Sequence, residues 1–184
     1  VINALSNWEH PCQTLADLQT IKEATGQLDG LTIAYIGDGN NVARSLALGI
    51  AMVGSNFSIA SPEGYQLDSP TIELALTKAA ARGTKIRMHH SIREAVKGAN
   101  VVYTDVWMSM GQEAERVKRR RAFKGYTVDP ELMSHALPNA IFMHDMPAHY
   151  GEEVAHGMLD HPTSVAFIQA ENRLHAQKAL LELL

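Results

Sequence analysis

This chain of 184 residues has little of three things, and each shortage closes off a class of protein. It has one cysteine, Cys12, so no internal disulfide can form and a disulfide-stapled secreted scaffold is excluded. No apolar run approaches the roughly 20 residues that span a bilayer. The opening stretch Val1-Ile2-Asn3-Ala4-Leu5 also lacks the basic leader and hydrophobic core of an export signal. No membrane contact is expected, and the chain reads as soluble and cytoplasmic. Positive charge is not in excess either. The 16 Lys and Arg stand against 20 Asp and Glu, a formal net charge of -4, which gives no reason to expect a nucleic-acid partner. The local exception, Lys118-Arg119-Arg120-Arg121, follows Glu113 and Glu115 in a segment of helical composition and reads as a solvated helix face.

What the chain does have is 46% hydrophobic residues against 20% charged, the composition of one globular domain with a substantial core. Short apolar runs alternate with helical patterns. Thr32–Gly37 precedes a helix over Asn41–Val53, and Phe57–Ala60 precedes Ser69–Ala81. Lys85–Met88 precedes Ser91–Lys97, and Val101–Thr104 precedes Met110–Arg121. Ala140–Met143 and Val165–Ile168 read as two further strands, with flanking helices over Pro11–Ala24 and Ala170–Leu184. This alternation predicts an α/β fold: a three-layer, Rossmann-like domain with a mainly parallel sheet flanked by helices.

Ligands of such sheets bind outside the carboxyl ends of the strands, and the chemically suggestive residues collect there. Asp38-Gly39-Asn40-Asn41 follows the first strand, Asp105 the fourth, and His144-Asp145-Met146-Pro147 the fifth. The Gly37-Asp38-Gly39 turn is a poor dinucleotide fingerprint, because Val42 stands where the third glycine belongs and Asp38 would face the phosphates. A plain strand-to-helix turn, or an Asn pair donating to a ligand carboxylate, remain the competing readings. Asp105 is either a turn residue or, with Ser109 four positions on, a holder of an ammonium group. His144, His149, His156 and His161 invite a metal, but their spacing is poor and Pro147 interrupts any helix through the first two. No metal and no cofactor are expected. Trp8 and Trp107 read as packing residues. His10 and Gln13, three apart, share one face near the start of the first helix, where Pro11 alone is explained by helix initiation.

Taken in order, His10-Pro11-Cys12-Gln13, Asp38-Gly39-Asn40-Asn41, Asp105-Val106-Trp107-Met108-Ser109-Met110-Gly111 and Glu171-Asn172-Arg173 resemble the second half of an ornithine carbamoyltransferase. The resemblance runs over essentially the whole chain. It implies that His10 and Gln13 hydrogen-bond the carbamoyl group of carbamoyl phosphate and that Arg173 reaches the same substrate. It further implies that Asn41 and the backbone at Met110 hold the α-carboxylate of ornithine, and that Asp105 and Ser109 hold its α-ammonium. Backbone carbonyls around Asp145 and Met146 would accept from the carbamoyl amide. Such enzymes also carry an N-terminal domain with a Ser-x-Arg-Thr phosphate loop, which these residues do not contain. The opening Val1-Ile2-Asn3, without Met, suggests an excised or processed piece. The expected partners are ornithine, carbamoyl phosphate, and either that N-terminal domain or a second copy covering the apolar residues of Ala170–Leu184. Two positions depart from the family. His-Cys-Leu-Pro appears as His144-Asp145-Met146-Pro147, and Tyr150 stands where many relatives have Arg. A carboxylate at 145 would stabilise the protonated amine and repel the phosphate dianion, implying weak catalysis or an amino-acid-binding or oligomerising module that reuses the fold.

Overall fold

In the computed structural model, which describes residues 1–109, 111 and 113–184, five parallel strands form one sheet. The strands are β1 (Thr32–Ile36), β2 (Asn56–Ala60), β3 (Ile86–His89), β4 (Val101–Thr104) and β5 (Ile141–His144). Their spatial order is β3-β2-β1-β4-β5, so the order reverses between β1 and β4. That reversal leaves the crevice in which ligands of open α/β sheets bind. The helices are α1 (Pro11–Thr25), α2 (Asn41–Val53), α3 (Ser69–Arg82), α4 (Ile92–Val96), α5 (Arg116–Ala122), α6 (Pro130–Met133) and α7 (Ala166–Glu182). A 3-10 turn, Glu113–Glu115, leads into α5.

Both sheet faces are covered, which is why the strands read as near-continuous apolar runs. Along β1, Ile33 and Tyr35 enter one core with residues of α1, α2 and α3. Ala34 and Ile36 enter a second core with residues of α4, α6 and the start of α7. The period of two sorts the side chains between the layers. Tyr35 and Tyr103 stack across β1 and β4 with ring centroids 5.6 Å apart, both fully buried.

The predicted strand over Val165–Ile168 does not exist. The chain touches β5 through one bridge, Phe142 to Ser164, and Val165 then caps α7, its carbonyl accepting from the Gln169 N–H at 2.8 Å. A four-residue apolar run cannot tell a strand from the first turn of a helix. Of this one, only Ala166 is buried, while Phe167 and Ile168 face solvent. Most of the remaining predicted elements fall within a residue or two of those observed, but the last helix begins at Ala166 and not at Ala170, and α6 was not predicted. A further exception is the segment from Met110 to Arg121, where Met110 and Gln112 lie outside the described residues and α5 begins at Arg116.

Candidate active site

The turn after β1 is built by close approach. A Cβ on Gly39 would lie 2.4 Å from the Gln66 and Leu67 backbone, and the Gly39 N–H donates to the Tyr65 carbonyl at 2.7 Å. The glycine therefore serves packing against the segment after β2, with no phosphate required to explain it. Asn40 caps α2, its Oδ1 accepting from the Val42 and Ala43 N–H groups, both at 3.1 Å. With Oδ1 so used, its Nδ2 is aimed at Asp105 and donates to Oδ2 at 2.6 Å. The cap thus ties the first strand's turn to the end of the fourth strand.

Asp105 is buried and accepts a second bond from the Val106 N–H at 2.6 Å. The Asp145 carboxyl, beyond the end of β5, is its electrostatic neighbour. Neighbouring carboxyl groups cannot both ionise cheaply. Burial, reinforced by Asp105, holds Asp145 protonated well above the usual carboxylate range. A pKa raised in this way favours the neutral acid at 145, which would not repel a phosphate dianion as a carboxylate would. The buried ring of His144 shapes the turn: Nδ1 accepts from the Met146 N–H at 2.8 Å, so the hydrogen sits on Nε2, 3.3 Å from Glu153 Oε1. Met146 itself lies at φ 53, in the left-handed region that non-glycine residues rarely occupy.

A second cluster lies on α1 and α7. Gln13 is buried; its Nε2 donates to Asp17 Oδ1 at 2.8 Å and its Oε1 accepts from Arg173 Nη1 at 2.5 Å. His10 caps α1, with ring Nδ1 3.1 Å from the Ala4 carbonyl. Because a carbonyl only accepts, that nitrogen carries the hydrogen, and Nε2 of the neutral ring is left as an acceptor. Burial and then Arg173 lower the His10 pKa, so the ring stays neutral. Toward a carbamoyl group this Nε2 can accept from an N–H; donating from it to the carbonyl oxygen would need an imidazolium that these surroundings disfavour. The clusters are electrostatic neighbours, since Asp105 acts on His10 in the opposite sense.

Asn41 and Ser109 line a hollow of about 800 Å³ outside the strand ends, together with Asn40, Arg44 and Lys118. The Asn41 amide is engaged, donating to the Ser6 carbonyl at 2.8 Å. Met110 lies outside the described residues. A larger surface hollow of about 940 Å³, bordered by Lys22, Asp29 and Arg82, sits at the opposite edge of the sheet beside the start of β2. Among the described residues, no three His, Cys, Asp or Glu side chains gather as metal ligands would.

One expectation fails outright. Arg119 is not on a solvated face: it is buried, and Nη1 bonds Asp38 at 2.6 Å and the Trp107 carbonyl at 3.0 Å. Its guanidinium also lies over the Tyr65 ring, 4.9 Å from the centroid. Lys118, Arg120 and Arg121 are exposed as predicted. Trp107 packs against Phe123, whereas Trp8 is half-exposed beneath the Arg44 guanidinium. Sequence reasoning also missed Asn40 as the tie to Asp105, and Asp17 and Gln169 beneath Gln13. A signal for Asp17 existed: Gln13, Asp17 and Thr20 recur at helical spacing on the buried side of α1.

Residues 29–184 match the family described as aspartate/ornithine carbamoyltransferase, Asp/Orn binding domain. The chain belongs to this family. Ornithine carbamoyltransferase of Thermococcus kodakarensis is 54% identical over 183 residues, covering 100% of the chain and 58% of that protein. The Bacillus subtilis ornithine carbamoyltransferase is 52% identical over 182 residues, covering 99% and 57%. The structure of ornithine carbamoyltransferase from Pyrococcus furiosus superposes with a TM-score of 0.94 at 49% identity, covering 98% of the chain and 58% of its own. The chain thus spans about 58% of the length of these relatives, the share that carries the Asp/Orn binding domain.

Proposed function

We propose that this chain is the ornithine-binding half of an ornithine carbamoyltransferase, acting in arginine biosynthesis together with a carbamoyl-phosphate domain. The observation that carries the reading is the Asn40–Asp105–Asp145 cluster at the switch in strand order, with Asp105 buried, beside His10, Gln13 and Arg173. Acidic groups suited to an amino acid's ammonium adjoin neutral acceptors and a guanidinium suited to a carbamoyl group and its phosphate. In the reaction, the side-chain amine of ornithine bonds to the carbamoyl carbon, the bond from that carbon to the phosphate oxygen breaks, and the amine gives up a proton as phosphate departs. Asp105 and Ser109 hold the α-ammonium, while Asn41 and the backbone at Met110 hold the α-carboxylate. His10 and Gln13 accept from the carbamoyl N–H groups, Arg173 binds the phosphate end, and the carbonyls of Asp145 and Met146 complete the frame.

A second reading, a non-catalytic amino-acid-binding module, is favoured by Asp145. If its proton moves to the solvent when ornithine binds, the resulting carboxylate holds the reacting amine as an unreactive ammonium. The decisive assay is citrulline formation by this chain alone and by the chain joined to the carbamoyl-phosphate domain of a relative. Both forms are compared with their Asp145→Cys counterparts. The transferase reading predicts turnover only in the joined forms, raised by Asp145→Cys. Ornithine binding without turnover in any of the four would establish the binding module instead. Leu174, Leu181 and Leu184 of the last helix and its end are exposed, and we assign that face to contact with the carbamoyl-phosphate domain or with a second copy. A monomeric sedimentation profile at high concentration would remove self-association.

A further inference from the structure

Asp17 has the environment of a functional residue but no part in the chemistry above. It is completely buried, between α1, the sheet and α7. Its Oδ1 accepts from Gln13 Nε2 at 2.8 Å and from Gln169 Nε2 at 2.7 Å. The Tyr103 hydroxyl lies 3.3 Å from Oδ2 and accepts in turn from Gln169 Nε2 at 3.0 Å. The oxygen of the Gln169 amide accepts from the His144 N–H at 2.9 Å, on the residue preceding Asp145. One carboxyl group therefore anchors both clusters of the cleft.

We infer that Asp17 is a positioning residue that fixes which end of the Gln13 amide faces the cleft. A carboxamide has a donating and an accepting end of nearly equal size, so sterics alone do not choose between them. Asp17 chooses. Facing an acceptor, Gln13 must turn its NH2 inward, which leaves Oε1 outward toward Arg173. The cleft then offers an acceptor that suits the N–H groups of a carbamoyl substituent and rejects a carboxylate in the same place. This part rests on the proposed function; the orientation itself does not.

The carboxyl is faced by Tyr103 from β4, by Gln169 and Arg173 from α7, and by the Asp145 carboxyl beyond β5; on its own helix it faces Gln13. Burial raises its pKa to about 7, against the opposing hydrogen bonds from Gln13, Gln169 and Tyr103 and the charge of Arg173. Ionised Asp17 grips the two amides through charge-assisted bonds, and protonated Asp17 through weaker neutral ones. The grip on Gln13 is accordingly pH-dependent close to neutrality.

The test needs no substrate, so its failure is distinguishable from failure of the transferase reading. The side-chain NH2 resonances of Gln13 and Gln169 are followed by NMR between about pH 5.5 and 8.5, bracketing the raised pKa. Three chains are compared: unaltered, Asp17→Asn and Asp17→Leu. In the unaltered chain the two amides are expected to titrate together with a midpoint near neutrality, and the Gln13 NH2 to exchange slowly. Asp17→Asn retains an acceptor oxygen, so slow exchange should survive while the titration disappears. Asp17→Leu removes the acceptor, and Gln13 NH2 exchange should rise by about tenfold or more, the size of one lost hydrogen bond. Flat resonances in the unaltered chain would overturn the proposal, as would unchanged Gln13 exchange in a folded Asp17→Leu chain. Should Asp17→Leu not fold, the titration and its loss in Asp17→Asn decide the matter.

Discussion

Replacing Arg119 by Met, which keeps the stem and deletes the guanidinium, should be among the most damaging single changes on the binding edge. Arg119 is the counter-charge of Asp38, and their side chains are 8% and 11% exposed. Losing it leaves a buried carboxylate uncompensated, which typically costs about 3–5 kcal/mol. The Trp107 carbonyl also loses its donor, worth about 1 kcal/mol. Part of the loss is recoverable by neutralising the partner, since Asp38→Asn removes the stranded charge. A double-mutant cycle by urea unfolding at pH 8 should therefore return a coupling of about 2–3 kcal/mol between the two positions. The pH dependence has a definite sign. Burial already raises the Asp38 pKa against Arg119, and deleting Arg119 raises it further. A folded-state pKa above the unfolded one means stability is lost as pH rises, so the Arg119→Met penalty should shrink as the buffer is acidified through the raised Asp38 pKa. Additive effects, or a penalty that grows on acidification, would refute the account of Arg119 as a latch between the turns after β1 and β4.

Three further outcomes are expected. Gly39→Ala should destabilise by about 1–3 kcal/mol, as an overpacked contact does, because the added Cβ meets backbone at 2.4 Å; a chain of unchanged urea midpoint would contradict this. Asp17, with its pKa raised from 3.8 to about 7, should withdraw roughly 4 kcal/mol of stability as pH rises through that window. The unaltered chain should therefore show a steeper decline between pH 4 and 7 than Asp17→Asn, and parallel curves would contradict the burial of its charge. Asp145→Asn, which cannot ionise, should abolish any proton release on ornithine binding, measurable by titration calorimetry in buffers of different ionisation enthalpy.

The fold was legible because the local signals agree with each other. Strands β1 and β4 announce themselves as apolar runs, and α2 begins at its capping Asn40. Val165–Ile168 misled because an apolar tetrapeptide carries no period, and what decides it is a cap and one bridge to β5, both tertiary. At the site, the strand-end residues and the His10–Gln13 pair could be read from spacing. The raised pKa of Asp145 could not, since it arises from burial and then from a neighbour 40 positions away in the chain, Asp105. Arg119 likewise looked like one charge in a basic run until its partner 81 positions earlier closed on it.

The central claim is that acidic and amide groups from several strand ends form one receptor for a diamino acid. Titration calorimetry of the chain with L-ornithine, beside Asp105→Asn, tests it most directly. The account predicts saturable heat at millimolar ornithine or below, weakened by about tenfold or more in Asp105→Asn, as loss of one charge-assisted contact implies. Absence of heat from the unaltered chain, or equal binding by both chains, would contradict it.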